Sequence, residues 1–203
     1  MEIIIIILFS YVSGSIPFGL ILTKFFYGKD IRKLGSGNIG ATNVLRTGNK
    51  SLAIITLILD VLKGYIPVML TLNYFPEFMQ LSALMCFLGH IFPLWLKFNG
   101  GKGVATYLGA LIAISMQLSI LFIFSWIIVS LIFRYSSVSS IFSSFTVLIV
   151  SIIRDSVNSA INPIFDTITN INVLLFFFFI LIIFTHKKNI YNLKNKTESK
   201  IKL

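Results

Sequence analysis

Six stretches of this chain, residues 3–25, 52–72, 78–96, 104–133, 137–153 and 168–184, consist almost wholly of apolar side chains. A helix of roughly 20 such residues crosses a hydrocarbon layer about 30 Å thick. With 56% of its 203 residues hydrophobic, the chain has too little polar surface for a water-soluble globule. The fold class is therefore all-α, a polytopic integral membrane protein. The amino terminus, MEIIIIILFS, carries Glu2 rather than a basic leader, and its apolar run continues past Pro17 without a cleavage site. A retained first span is expected. Cys86 is the only cysteine, which excludes an internal disulfide framework, and its apolar surroundings make it a packing residue.

The difficult stretch is 104–133, thirty residues without a charge. As one helix it would be about 45 Å long, beyond the hydrocarbon thickness unless strongly tilted. As two helices turning near Met116–Gln117, each would measure roughly 21 Å. The basic residues decide between these. An external amino terminus puts Lys29, Arg32, Lys33, Arg46 and Lys50 in the cytoplasm, residues 73–77 with no basic group outside, and Lys97 and Lys102 back inside. One span at 104–133 would then strand Arg134 and six tail lysines (Lys187, Lys188, Lys194, Lys196, Lys200, Lys202) outside, whereas two spans leave only Arg154 there. Positive residues collect on the cytoplasmic side, so the expectation is seven helices, amino terminus out and carboxyl terminus in. The whole chain, 1–203, reads as one membrane-embedded domain with cytoplasmic loops at about 27–50 and 97–103 and a cytoplasmic tail from 186. The net charge of +10 belongs to these loops and to anionic lipid. Spread between hydrophobic spans, it does not form a nucleic-acid surface.

Polar chemistry is confined to two glycine-rich basic segments. The first, GSGNIGATNVLRTG from Gly35 to Gly48, matches G-x-G-x-x-G but has neither a preceding strand nor a βαβ unit around it, so a dinucleotide fold is rejected. Gly35, Gly37 and Gly40 can form a nest of amides, and Ser36 and Asn38 can cap a short following helix. On that helix Thr42, Asn43 and Arg46 share a face. A helix start with an arginine beyond it suits a phosphate. The second segment holds Asn99, Gly100, Gly101, Lys102 and Gly103 and is not a Walker A loop. Glycines flanking Lys102 let the backbone approach a ligand closely.

Outside these segments, His90 lies within an apolar run, where a hydrogen bond to a neighbouring helix and a catalytic role are both open. Asp60 and Lys63 read as a buried pair, because either charge alone would be costly there. Arg134 is either an interfacial anchor or a neutraliser of substrate charge. His186 and Asn189, three residues apart, share a helical face where the last span ends. No His-x-x-x-x-Asp occurs: the fifth residue after His90 is Trp95, and after His186 it is Tyr191. Nor do the seven scattered acidic residues form a metal-binding cluster.

Taken together, SGSIPFG at 13–19, the Gly35–Gly48 segment, LDVLKGYIPV at 59–68, GHIFPLWLKFNGGKGVAT at 89–106 and RYSSVSS at 134–140 resemble the bacterial acyl-phosphate:glycerol-3-phosphate acyltransferases. The resemblance spans most of the chain. It implies a seven-helix enzyme of the bacterial inner membrane with a cytoplasm-facing site. It implies acyl transfer from a fatty acyl phosphate to the 1-hydroxyl of sn-glycerol 3-phosphate, giving lysophosphatidic acid and inorganic phosphate, with no cofactor or metal. This would be the first acylation of phospholipid biosynthesis, with the acyl-phosphate-forming enzyme as a candidate partner. By the same resemblance Ser36, Arg46, Lys102, His186 and Asn189 fall where the family holds substrate phosphates and reacting centre. The tail departs from the family's N-x-x-R-L-x-x-G-T-E: Asn192 stands for the arginine and Lys196 for the glycine, while Asn189, Leu193, Thr197 and Glu198 agree.

The expected division of labour places Arg46, Ser36 and the first glycine nest on one phosphate and Lys102 on the other. His186, helped by Asn189, orients the hydroxyl or takes its proton, unless a substrate phosphate oxygen does so. A transporter for an organic phosphate and a scaffold for anionic lipid are the competing readings. Only Asp60 and Lys63 lie deep in a span while the basic loops gather on one side, which favours an enzyme over a transporter.

Overall fold

Backbone polar groups inside a hydrocarbon layer must be satisfied within the protein, and this chain answers with helices throughout. The computed structural model describes residues 1–161 and 170–201, and among these no strand occurs. They form two compact units, Met1–Ile114 and Ser115–Leu203.

The first unit opens with α1 (Glu2–Ser15) and α2 (Phe18–Tyr27), where the apolar pattern alone predicts one unbroken span. Pro17 makes the difference, since it donates no hydrogen bond and its ring clashes with the preceding turn. Together α1 and α2 still form a 26-residue apolar stretch long enough to cross a membrane. A short α3 (Ala41–Leu45) follows, then α4 (Lys50–Tyr74), α5 (Met79–Ile91) and α6 (Val104–Ile114). Asn49 caps α4, its Oδ1 accepting from the Leu52 N–H at 2.8 Å.

Within this unit α4 packs on α6 and α1 on α5. Both pairs meet through glycines. A Cβ on Gly109 would fall on the Val61 carbonyl oxygen and one on Gly64 on that of Thr106. The α1–α5 pair repeats the device, with Gly14 against Cys86 and Gly89 against Tyr11, and the Ser10 and Ser82 hydroxyls join across it at 2.8 Å. Small residues are what let helix backbones approach this closely in lipid.

The second unit contains α7 (Met116–Phe133), α8 (Ser136–Ile161), α9 (Asn172–Thr185) and α10 (Lys187–Lys194). The break expected near Met116–Gln117 falls one residue earlier, where Ser115 caps α7 with its Oγ 3.4 Å from the Leu118 N–H. The two halves are unequal. The 11 residues of α6 reach only about 16 Å, and the 18 of α7 about 27 Å. Among the described residues five helices are long and apolar enough to cross a membrane, or six when α9 and α10, which bend by 55°, count as one. Length and composition therefore do not reach the expected seven. α8 also continues through Arg154 and Asp155, past the end of its apolar run. Residues 162–169, covering much of the expected polar interruption at 154–167 and the start of the last apolar stretch, lie outside the described residues, as do 202 and 203. Three buried serines of α8 bond back along the chain: Ser139 to the Tyr135 carbonyl, Ser140 to Ser136 and Ser143 to Ser139, at 2.7–2.9 Å. Their hydroxyls are thereby satisfied without cost to the apolar surroundings.

Gly109 offers a direct test of the α4–α6 packing. Overpacking costs about 1–3 kcal/mol. Gly109→Leu should therefore lower the melting temperature of the detergent-solubilised protein by roughly 2–12 °C. An unchanged melting temperature would contradict the packing described.

Candidate active site

The first glycine-rich segment is built around a single amide. Asn43, on α3, is buried, and its Oδ1 accepts from the Ser36 N–H at 2.8 Å. Its Nδ2 donates to the carbonyls of Asn38 at 2.7 Å, Leu34 at 3.0 Å and Ile31 at 3.2 Å. One side chain thus braces the 3-10 turn at Ile31–Lys33 and the irregular backbone of 34–38 that follows it. Gly35 is essential to this closure. Its φ of +54° is left-handed, and a Cβ there would fall on Asn43 Oδ1 and stand 3.2 Å from Arg46 Cδ.

Two expectations change as a result. Asn43, read from the sequence as a phosphate contact, spends its amide inside the loop. Ser36 and Asn38 do not cap α3 either, since Gly40 is the capping residue and no side chain bonds to the helix start. Asn38 instead accepts from the Gly40 N–H at 2.9 Å, one turn too early to cap. Gly40 itself has an ordinary φ of −81°, so only Gly35 and Gly37 of the three nest glycines are left-handed.

Arg46 ends α3, exposed, and among the described residues no carboxylate pairs with it. Arg32 is different. It lies 2.6 Å from Asp30, and that guanidinium holds the Asp30 carboxyl at a pKa of about 2, so the two charges cancel within the turn. A cavity of about 310 Å3 opens beside Arg46 and Gly35, bounded also by Thr23, Tyr27, Lys29 and Thr47. Ser36, Thr42 and Lys102 are not on its wall. Thr23, Tyr27 and Lys29 are functional candidates that sequence reasoning passed over. They close α2 and precede the glycine pattern, so no motif marks them.

Both glycine-rich segments share one apolar footing. Ile31, Ile39 and Val44 are buried with Leu20, Leu52 and Ala53, and Leu96, just before the second segment, packs against the same cluster. That second segment folds back on the end of α5: the Gly100 N–H donates to the Ile91 carbonyl at 3.0 Å and the Gly101 N–H to that of His90 at 3.1 Å. Lys102 is half-buried between the buried Gly101 and Gly103. The first turn of α6, whose N–H groups have no acceptor within the helix, follows immediately. A cation beside those amides suits an anion.

The deep polar residues are committed to structure. Lys63 Nζ lies 2.8 Å from Asp60 Oδ1, donates to the Ile16 carbonyl at 2.6 Å and sits 5.6 Å from the Phe18 ring centroid. His90 Nδ1 is 3.1 Å from the Thr106 hydroxyl, the hydrogen bond to a neighbouring helix that was one of its two readings.

In the second unit His186 stands at the bend between α9 and α10, 1% exposed. Its Nδ1 lies 2.8 Å from the Ile182 carbonyl. A carbonyl only accepts, so Nδ1 carries a proton. Asn189 donates to Glu198 Oε1 at 2.5 Å, and the same carboxylate receives the Ser137 hydroxyl at 3.2 Å and the Asn192 amide at 3.4 Å. Glu198 is therefore the tail's hub, a role visible beforehand only as one matching letter of the tail motif. Arg134 ends α7 at a left-handed φ of 61°, and its carbonyl accepts from the Ile201 N–H at 2.7 Å, which ties the tail down.

The tail's departure from the family pattern has a local consequence. Lys196 occupies the family's glycine position with φ +59°, just past α10, where a left-handed residue closes the helix. A side chain there costs about 1–2 kcal/mol. Lys196→Gly should accordingly raise the melting temperature by a few degrees, and a fall would show that the lysine stabilises the turn. In the first segment, Asn43→Ala would leave the part-buried Ser36 N–H and the Asn38 carbonyl without their partner and would take one of two donors from the Ile31 and Leu34 carbonyls. Loss of roughly 100-fold in activity is expected with the bulk of helical content, measured by circular dichroism, retained. Full activity would remove Asn43 from its organising role.

Known proteins share this architecture. Residues 4–196 match the family model described as glycerol-3-phosphate acyltransferase. The glycerol-3-phosphate acyltransferase of Pelagibacter ubique (strain HTCC1062) is 48% identical over 203 residues, with both chains covered completely. That of Brucella anthropi is 46% identical, over 96% of this chain and 91% of the relative. A crystal structure of PlsY (YgiH), an integral membrane glycerol 3-phosphate acyltransferase in its glycerol 3-phosphate form, superposes with a TM-score of 0.89 at 31% identity, covering 100% of this chain and 96% of that one. The lysophosphatidic acid form of PlsY gives 0.86 at 30% identity, with 98% and 95% covered.

Proposed function

Because this chain belongs to the glycerol-3-phosphate acyltransferase family, we propose that it moves a fatty acyl group from acyl phosphate to the 1-hydroxyl of sn-glycerol 3-phosphate. The hydroxyl oxygen attacks the acyl carbonyl, the bond from carbonyl carbon to phosphate oxygen breaks, and inorganic phosphate leaves with the electron pair. Lysophosphatidic acid is the other product. The observation that carries this reading is the Arg46 cavity: a cation that no carboxylate among the described residues pairs, on a loop stiffened by Asn43, beside a chamber large enough for a phosphorylated three-carbon alcohol.

The donor is a mixed anhydride with an activated carbonyl, so no covalent nucleophile is needed. The work of the enzyme is to hold two anions together in line for attack. Arg46, Ser36 and the amide of Gly35 bind one phosphate, on the turn that Gly37 completes by donating to the Leu34 carbonyl. Lys102, with Gly100, Gly101 and Gly103, neutralises the other and the charge that develops as phosphate departs. His186, through Nε2, orients the hydroxyl or takes its proton, with Asn189 fixing the local geometry. The departing phosphate is the other available acceptor. The chain works as one catalytic domain in the bacterial inner membrane, with the seven spans made up by counting α6 and the α9–α10 pair. Its amino terminus is outside, and the glycine-rich segments and tail are cytoplasmic. The acyl-phosphate-forming enzyme is the partner that supplies its donor.

Detergent-purified protein given acyl phosphate and glycerol 3-phosphate should release phosphate and lysophosphatidic acid in equal amounts, read by mass spectrometry. Arg46→Ala and Lys102→Ala should each lower turnover at least about 100-fold, the scale of losing one charge-stabilising donor. Folded wild-type protein that makes no lysophosphatidic acid would overturn the activity. Near-normal turnover in either variant would overturn the site.

A further inference from the structure

His90 is enclosed by the second glycine-rich segment and by the helices on either side of it. Its Nδ1 stands 3.1 Å from the Thr106 hydroxyl, in the first turn of α6. Its carbonyl accepts from the Gly101 N–H at 3.1 Å, and a Cβ on Gly101 would coincide with the ring's Nε2. The ring and backbone of one residue therefore touch the loop on both sides of Lys102, at Gly101 before it and Thr106 after it. Asp60 Oδ1, 3.9 Å from His90 Nδ1, is paired with Lys63, and Lys63 is anchored to the Ile16 carbonyl at the α1–α2 break. All of these side chains are at most 5% exposed.

Such a chain exceeds what helix packing needs. The α4–α6 contact is already made by Gly64 and Gly109, and α1–α5 by Gly14 and Gly89. Buried polar networks are expensive unless fully satisfied, and when satisfied they specify one arrangement. The arrangement specified here is the height and direction of the backbone at Lys102.

We propose that His90 and Thr106 are positioning residues that set the Lys102 backbone for substrate phosphate. The proposal rests on the assignment of Lys102 to substrate phosphate. A misplacement of about 1 Å in such a group costs on the order of 100-fold in rate. Loss of one supporting hydrogen bond should give a smaller defect.

A double-mutant cycle on kcat/KM separates positioning from stability. Thr106→Val, matched in shape but lacking the hydroxyl, should lower kcat/KM per folded enzyme about tenfold, and Thr106→Ser should restore it to within about twofold. In a Lys102→Ala background the same Thr106→Val change should cost less than about twofold, because nothing remains to be positioned. Thr106→Val with kcat/KM within twofold of wild type, or with an undiminished tenfold effect in the Lys102→Ala background, would overturn the proposal. If Thr106→Val fails to insert, His90→Asn, which keeps a partner for Thr106 but withdraws the ring from Gly101, is put through the same cycle with the same criteria. Full turnover in Lys102→Ala alone would instead refute the site reading beneath it, and that outcome is scored independently of the Thr106 single variant.

Discussion

Pro17 interrupts the first apolar stretch and leaves the chain near Ile16 without continuous helical bonding, in surroundings where water does not supply donors. Lys63 answers that need by donating to the Ile16 carbonyl, and the charge it brings is met by Asp60 at 2.8 Å and by the face of Phe18. A buried ammonium without a partner would cost several kcal/mol, so the three groups stand or fall together. The rest of the first unit is arranged around them: α4 carries the pair, α1 and α2 hinge on it, and His90 of α5 approaches its carboxylate.

Above that framework polar groups divide by what they face. Asn43, Asp30 and Arg32 are spent on the backbone or on each other, and they give rigidity to a segment without regular structure. Arg46 and Lys29 border a cavity, which Asn43 also lines. The division matters chemically, because a cation already neutralised by a carboxylate does little for a substrate anion. In the second unit Glu198 acts as Asn43 does in the first, gathering Ser137, Asn189 and Asn192 so that the tail has one conformation. Asn192 reaches Glu198 through its amide at 3.4 Å, a neutral contact to the carboxylate.

Much of this was legible beforehand, and the reasons are local. The apolar runs declare membrane helices because the requirement is one of length and composition. The division of residues 104–133 follows from charge placement, and the break appears at Ser115, one residue from its expected position. Asp60 and Lys63 declare a pair because two buried charges three residues apart have few alternatives. The capping roles given to Ser36 and Asn38 failed because a residue list does not say where a five-residue helix begins. The loop-closing role of Asn43 was hidden for a related reason: its three carbonyl partners lie 5 to 12 residues away, and only the folded loop brings them to one amide.

By itself, then, the sequence determined the membrane class, the two cationic glycine-rich segments and the family, since hydropathy, charge and motif spacing are properties of the chain read in order. The tertiary structure alone decided which polar side chains are consumed in holding the protein together and which face open space. A hydrogen-bonding group serves either its own fold or a ligand according to what stands within about 3 Å of it, and that distance exists only after the chain has closed.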